Sequence, residues 1–309
     1  MMKPSTEPFV HPALFYRGED EYLRGTVPFI RDGLKAGEPV AVAVPGPNLA
    51  LIKAALGEDV ARVKLLDMTE AGRNPGRIIP RVLRAFADSH RQTRVRIIGE
   101  PIWAGRSTVE YPACAQHEAL INPAFEGREV TILCPYDADS LDEQALTDAH
   151  ATHPVIISEG RERPSTAYAP DHVVARYNQP LEQPAAAEEL VFQAGELPRA
   201  RHFAVEQAAR FDLSGVRLED VALIVAELTT NSVVHGGGSG TLRVWAEDSH
   251  VVCEVRDPGH LNDPLAGRRP PERDTLGGRG LLLVHTLADL VRIHTSSEGT
   301  AVRCYVSRH

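Results

Sequence analysis

A chain of 309 residues, 43 % hydrophobic and 24 % charged, has room for two ordinary domains, each with its own core. A formal charge of −9 argues against nucleic acid as the main partner, because phosphate binding draws on a basic surplus. No apolar run approaches the length of a membrane span, and Met1 to Val10 carry no apolar signal core, so the expectation is a cytoplasmic protein with no membrane partner.

The first half repeats short β-branched runs: Ala13 to Tyr16, Val40 to Val44, Val63 to Leu66, Val95 to Ile98, Val130 to Leu133 and Val155 to Ile157. Several are apolar on both faces, as a parallel sheet covered on two sides requires. Amphipathic stretches lie between them, around Glu19 to Lys35, Asn48 to Leu56, Gly76 to Ser89, Glu110 to Asn122 and Leu141 to His150. Strand alternating with helix predicts an α/β domain with a mainly parallel sheet and ligands at the carboxyl ends of its strands.

No phosphate-binding loop of the G-x-x-x-x-G-K-[ST] or G-x-G-x-x-G kind follows any of these strands. The turn Pro45-Gly-Pro47 lacks both the backbone donors and the lysine that such a loop needs. Polar candidates stand elsewhere: Glu100 after the fourth run, Glu118 on a helix, Cys134, Tyr136 and Asp137 at a strand end, and His11, His150 and His153 near other strands. Cys114 and His117 are three apart, as are His150 and His153. Metal pairs and separate core thiols with loop histidines both fit, and the lack of a tight cysteine pair favours the second. The four cysteines, Cys114, Cys134, Cys253 and Cys304, read as reduced thiols rather than a disulfide frame.

Five segments, His11 to Tyr16, Tyr111 to Cys114, His117 to Asn122, Leu133 to Asp137 and His150 to Pro154, together resemble the MEDS family of sensory domains. The resemblance covers about residues 9 to 170, and the domain is placed at residues 9 to 175. It implies a RecA-like three-layer fold without its nucleotide loop and a small organic ligand, with His11, Glu118, Cys134, Tyr136 and His150 as candidate contacts. Residues 176 to 189 are rich in proline, glutamine and alanine and read as a linker.

From residue 190 onward, Leu190 to Gln193 reads as an edge strand and Pro198 to Phe211 as a helix. Leu218, Val221, Ala222, Leu223, Val225, Ala226 and Leu228 recur at helical spacing. On that helix Glu227, Asn231 and His235 stand at i, i+4 and i+8, so they share one face. Taken alone, the trio reads as a surface stripe or a satisfied core triplet rather than a site. Leu242 to Ala246 and Val251 to Val255 form a hairpin that ends in Asp257-Pro-Gly259, by itself an ordinary turn. His260 to Thr275 reads as a mobile loop. Gly277-Gly-Arg-Gly280 opens the helix Leu281 to Leu287, where free N–H groups can cradle an anion. Leu290 to Ile293 and Ala301 to Val306 are strands joined through Gly299 and Thr300.

Glu227…Asn231, Asp257-x-Gly259, Gly278-x-Gly280 and Gly299-Thr300 resemble, in order and spacing, the four boxes of the GHKL ATP-binding fold. Glu227 to His235 and Gly278 to Val284 are most similar to the RsbW-type anti-sigma factors and serine-protein kinases. The resemblance implies an α/β sandwich with a mixed sheet over residues 190 to 309, with ATP and Mg²⁺ as cofactors. Asn231 would then hold Mg²⁺ and Glu227 would be the general base. Asp257, Gly259 and Thr300 would receive the adenine, and Gly278, Arg279, Gly280 and Leu281 the phosphates. His235 packs beside the phosphates or caps its helix. Two features depart from the family pattern: Ser232 stands where alanine is common, and His260-Leu261 replaces a second glycine. The implied partners are a sigma factor and an anti-sigma-factor antagonist, and a homodimer is compatible. The expected function is an anti-sigma serine/threonine-protein kinase gated by the sensory domain. A non-catalytic nucleotide-dependent binding module is the alternative. A sensor histidine kinase with His202 as phosphoacceptor is another, although no acidic residue follows His202 directly and no two-helix hairpin precedes the ATP domain.

Overall fold

The computed structural model describes residues 8 to 270 and 278 to 308, which divide into two compact units between Tyr177 and Asn178. Arg273, the end of the predicted mobile loop and Gly277 lie outside the described residues.

Unit one runs in chain order through β1 (Phe9–Val10), β2 (Pro12–Tyr16), α1 (Gly18–Lys35), β3 (Val40–Val44), α2 (Gly46–Leu56), β4 (Val63–Asp67), α3 (Met68–Ala71), α4 (Arg84–Ser89), β5 (Val95–Gly99), α5 (Tyr111–Phe125), β6 (Val130–Asp137), α6 (Glu143–Thr152), β7 (Val155–Ser158), β8 (Arg161–Pro164) and α7 (Pro170–Arg176). Among the described residues these strands form one sheet in the order β4-β3-β5-β6-β2-β7-β8, with β1 also pairing with β6. Every pairing is parallel except β7 with β8. The cause is the two-sided apolar character of the strands. Val40, Val42 and Val44 pack with α1 and α2, while the alternate Ala41 and Ala43, no more exposed, face the other layer. His11 occupies the break between β1 and β2, both of which run along β6.

Unit two contains β9 (Glu188–Gln193), α8 (Leu197–Arg210), α9 (Val216–Val234), β10 (Ser239–Glu247), β11 (His250–Asp257), α10 (Gly280–Leu287), β12 (Leu290–Ser296) and β13 (Gly299–Ser307). The sheet order is β12-β13-β11-β10-β9, and all four pairings are antiparallel, where a mixed sheet was expected. Two helices between β9 and β10 return the chain to the end it left, so β10 must run back along β9. β11 and β12 do point the same way, but β13 is slotted between them. Val251, Cys253 and Val255 of β11 pack with Val221, Ile224, Val225 and Leu228 of α9 in one core. The i, i+3, i+4, i+7 spacing of those α9 positions is what lays the helix on the sheet.

Of the stretch from 176 to 189, residues 178 to 182 lie against this second sheet. Asn178 exchanges two hydrogen bonds with Thr295 of β12, donating to its carbonyl at 2.8 Å and accepting from its N–H at 3.0 Å. Arg256 donates to the Leu181 carbonyl at 3.0 Å, and Arg303 donates to that of Glu182. The loop after β11 is packed in its described half: Leu265 and Arg268 are buried. No helix among the described residues is long and apolar enough to cross a membrane.

Candidate functional site

A cavity of about 480 Å³ opens in unit two between α9, the end of β11, the following loop, the start of α10 and β13. That volume suits a nucleotide-sized ligand. Asn231, His235, Asp257, Gly259, Gly278, Gly280, Leu281 and Thr300 all line it. Glu227 lies one turn before Asn231, with its carboxylate against the backbone of Gly280. A β-carbon at Gly280 would stand 2.6 Å from Glu227 Oε2 and 3.4 Å from Asn231 Nδ2. Only glycine lets the α10 N-terminus come this close to the two polar side chains. His235 sits at the C-cap of α9, exposed, so it both ends the helix and lines the cavity. Arg279 precedes the first residue of α10.

At the other end of the cavity Asp257 is held on two sides. Ser232 donates to its Oδ2 at 2.6 Å and the Gly259 N–H donates to its Oδ1 at 2.9 Å. Each oxygen keeps a lone pair for a further donor, such as an exocyclic amine. The Thr300 hydroxyl donates to the Gly259 carbonyl at 2.8 Å and lies 2.8 Å from the Thr295 hydroxyl, which accepts from the Leu261 N–H at 3.0 Å. Ser232, noted in the sequence only as a departure, is thus the side chain that orients Asp257. Its one available signal was its place one residue after Asn231 and a turn beyond Leu228, on the buried side of α9. His202 is exposed on α8 beside Glu206 at 3.2 Å, and does not line the cavity.

In unit one the carboxyl ends of the strands hold Glu100, Tyr16, Tyr22 and Asn48. Asn48 donates to both Glu100 oxygens at 2.9 Å, and burial raises the Glu100 carboxyl to about 8, so it is largely protonated at neutral pH. The sensory candidates gather elsewhere. His11, Glu118 and Cys134 meet at the amino-terminal ends of β2 and β7, opposite the expected end of the sheet. Their fourth member is His153 rather than His150: His150 stacks on Phe15 at 4.7 Å, while His153 has left α6 and turned inward. Tyr136 is buried with its ring edge-on to His153 at 5.5 Å. Cys114 and His117, the other pair spaced three apart, do not join this cluster. All four cysteines are free thiols.

Comparison with known proteins agrees with this division. Residues 10–154 match the MEDS family, described as the methanogen/methylotroph, DcmR sensory domain. Residues 191–306 match the histidine kinase-like ATPase domain. Among solved structures, that of the RsbU and RsbW domains of Rv1364c from Mycobacterium tuberculosis is 17 % identical, with a TM-score of 0.31, over 40 % of this chain and 33 % of that chain. The chain therefore spans about a third of that structure's length. No curated protein matches significantly. The chain carries a MEDS domain over residues 10–154, followed over residues 191–306 by a histidine kinase-like ATPase domain of the GHKL type.

Proposed function

We propose that the protein is a cytoplasmic regulator that transfers the γ-phosphoryl group of ATP to a serine or threonine of an anti-sigma-factor antagonist and alternately captures a sigma factor. The observation that carries the catalytic part is the contact of Glu227 and Asn231 with the glycine start of α10, at the rim of a cavity whose far end presents Asp257. The residues fit the expected nucleotide. A neutral carboxamide oxygen suits a hard cation, free helix N–H groups suit phosphate, and an acceptor-only aspartate suits an amine. Mg²⁺, when bound, neutralises charge on the phosphates. The chain's own part would be to hold the ion at Asn231 and the phosphates at Gly278 to Leu281, and to take the proton of the attacking hydroxyl onto Glu227 as ADP leaves.

Asn231→Ala is expected to weaken Mg-ATP binding at least tenfold in calorimetry on the full chain. Unchanged affinity would remove the phosphate-site assignment. The protein-partner reading is supported by the likeness of Glu227 to His235 to RsbW-type proteins and by exposed Val216, Leu223 and Val234 on α9. These lie seven and eleven residues apart, close to two and three whole turns, so they form one apolar stripe.

Gating by the sensory domain is supported by hydrogen bonds that begin where the first unit ends. Asn178 grips Thr295, and Thr295 touches Thr300 and Leu261, both of which line the cavity. Displacing residue 178 would loosen the rim that receives the adenine. Asn178→Ala should change the full chain's ATP affinity severalfold although it lies outside the cavity. An identical affinity would leave the linker a simple tether.

A further inference from the structure

His11, Glu118, Cys134 and His153 come from a strand break, a helix, a mid-strand position and a helix C-cap, and each is at most 1 % exposed. One donor atom from each lies within 4.8 Å of the others. Cys134 Sγ is 3.4 Å from His11 Nε2, Glu118 Oε2 is 3.6 Å from the same nitrogen, and His153 Nε2 is 3.0 Å from Glu118 Oε2. A tetrahedral zinc with bonds of about 2.0 Å to nitrogen and about 2.3 Å to sulfur spaces its donors by roughly 3.3 to 3.7 Å.

The hydrogen bonds behind these rings fix which nitrogen faces inward. His153 Nδ1 is 2.9 Å from the Ala149 carbonyl, which can only accept, so the proton sits on Nδ1. Asn122 donates its amide to the Ala119 and Thr152 carbonyls, which leaves its oxygen to accept from His11 Nδ1 at 3.2 Å. Both Nε2 lone pairs therefore point at Glu118 and Cys134. Despite the short separations, His153 Nε2 and both Glu118 oxygens are buried without a hydrogen-bond partner. Lone pair facing lone pair in a dry interior is costly unless something positive stands between them.

We propose that these four side chains are the ligands of a buried zinc ion. Two neutral imidazoles, one carboxylate and one thiolate balance the charge of Zn²⁺, and the proton displaced from Cys134 leaves to solvent as the sulfur–metal bond forms. Asn122 and the Ala149 carbonyl are the outer partners that orient the rings. Four protein donors leave no open position, so the ion is resident: it ties the β1–β2 break, α5, β6 and the end of α6 into one piece. This site belongs to the first unit, and its fate does not depend on the kinase reading.

The test is a cobalt titration of the full-length chain, tag removed, stripped with chelator and kept reduced. One equivalent of Co²⁺ is expected to give tetrahedral d–d bands and a thiolate-to-cobalt charge-transfer band, both abolished by Zn²⁺. Cys134→Ser should lose the charge-transfer band, His153→Gln should weaken affinity tenfold or more, and His150→Gln should match the unaltered chain. A folded, unaltered chain that stays colourless in excess Co²⁺ would overturn the site, and this arm needs no variant to fold. A charge-transfer band that survives Cys134→Ser would equally overturn it.

Discussion

Glu227→Gln should cut phosphoryl transfer by roughly 10²- to 10⁴-fold, the span that general-base catalysis covers, while Mg-ATP affinity stays within a few-fold of the unaltered chain. The reasoning is geometric. Glutamine has nearly the same shape, so the side chain still fills the space against Gly280, where a single added β-carbon would stand 2.6 Å from Glu227 Oε2. What it loses is the capacity to accept a proton at neutral pH. Binding rests on other groups: Asn231 on the next turn, the helix start at Gly280, and Asp257, which Ser232 and Gly259 hold in place. Radiolabelled transfer to a protein acceptor and calorimetric ATP affinity, measured on the same preparation, separate the two effects. Undiminished transfer would show that Glu227 is not the base. A parallel collapse of affinity would show that it holds the site together instead.

The residues that line the cavity of the second unit could be grouped from the sequence through the order and spacing of four segments, each placed by a local rule. Glu227, Asn231 and His235 follow the helical period, Asp257 and Thr300 are cross-strand partners at the end of one hairpin-like pair, and Gly280 opens a helix. The zinc cluster was not legible in that way. More than a hundred residues separate His11 from its three partners, and neither pair spaced by three, His150 with His153 or Cys114 with His117, is brought together at the cluster. Counting by threes assumes that both histidines lie on a helix. α6 ends at Thr152, and His153 takes an extended conformation (φ −115°, ψ 126°) that carries its ring off the helix face. The stretch after Tyr177 was read as a linker from its composition, yet its anchors at Leu181 and Glu182 are backbone carbonyls, which leave no mark on residue type. The mixed sheet expected for the second unit failed for a topological reason: strand direction depends on the number of helices crossed, which periodicity does not report.

Glu254→Leu should destabilise the second unit by about 3 to 5 kcal/mol, the usual cost of leaving one side of a buried ion pair uncompensated. In the sequence Glu254 lies between Cys253 and Val255 of the second hairpin strand. In the structure it is fully buried. Arg303 reaches Oε2 through Nε at 2.9 Å and Nη2 at 2.7 Å, Arg256 donates to Oε1 at 2.6 Å, and Arg243 lies 3.9 Å away. Arg303 is itself buried, its guanidinium 5.0 Å from the Trp245 ring. Without the carboxylate, the buried Arg303 and the half-buried Arg256 lose their counter-charge, while Arg243 keeps its ion pair with Glu189. Arg256 and Arg303 also carry the hydrogen bonds to the Leu181 and Glu182 carbonyls, so the stretch before β9 should detach as stability falls. Denaturant unfolding followed through Trp245, in a Trp103→Phe background, reports on this unit separately. Pairing Glu254→Leu with Arg303→Met removes charge from both sides, and an apolar pair of similar volume often replaces a buried ion pair at little cost. The double variant should therefore recover a large part of the loss. If it instead loses as much as the two single changes added together, the carboxylate and the guanidinium act independently and the buried network is not what holds this face of the sheet.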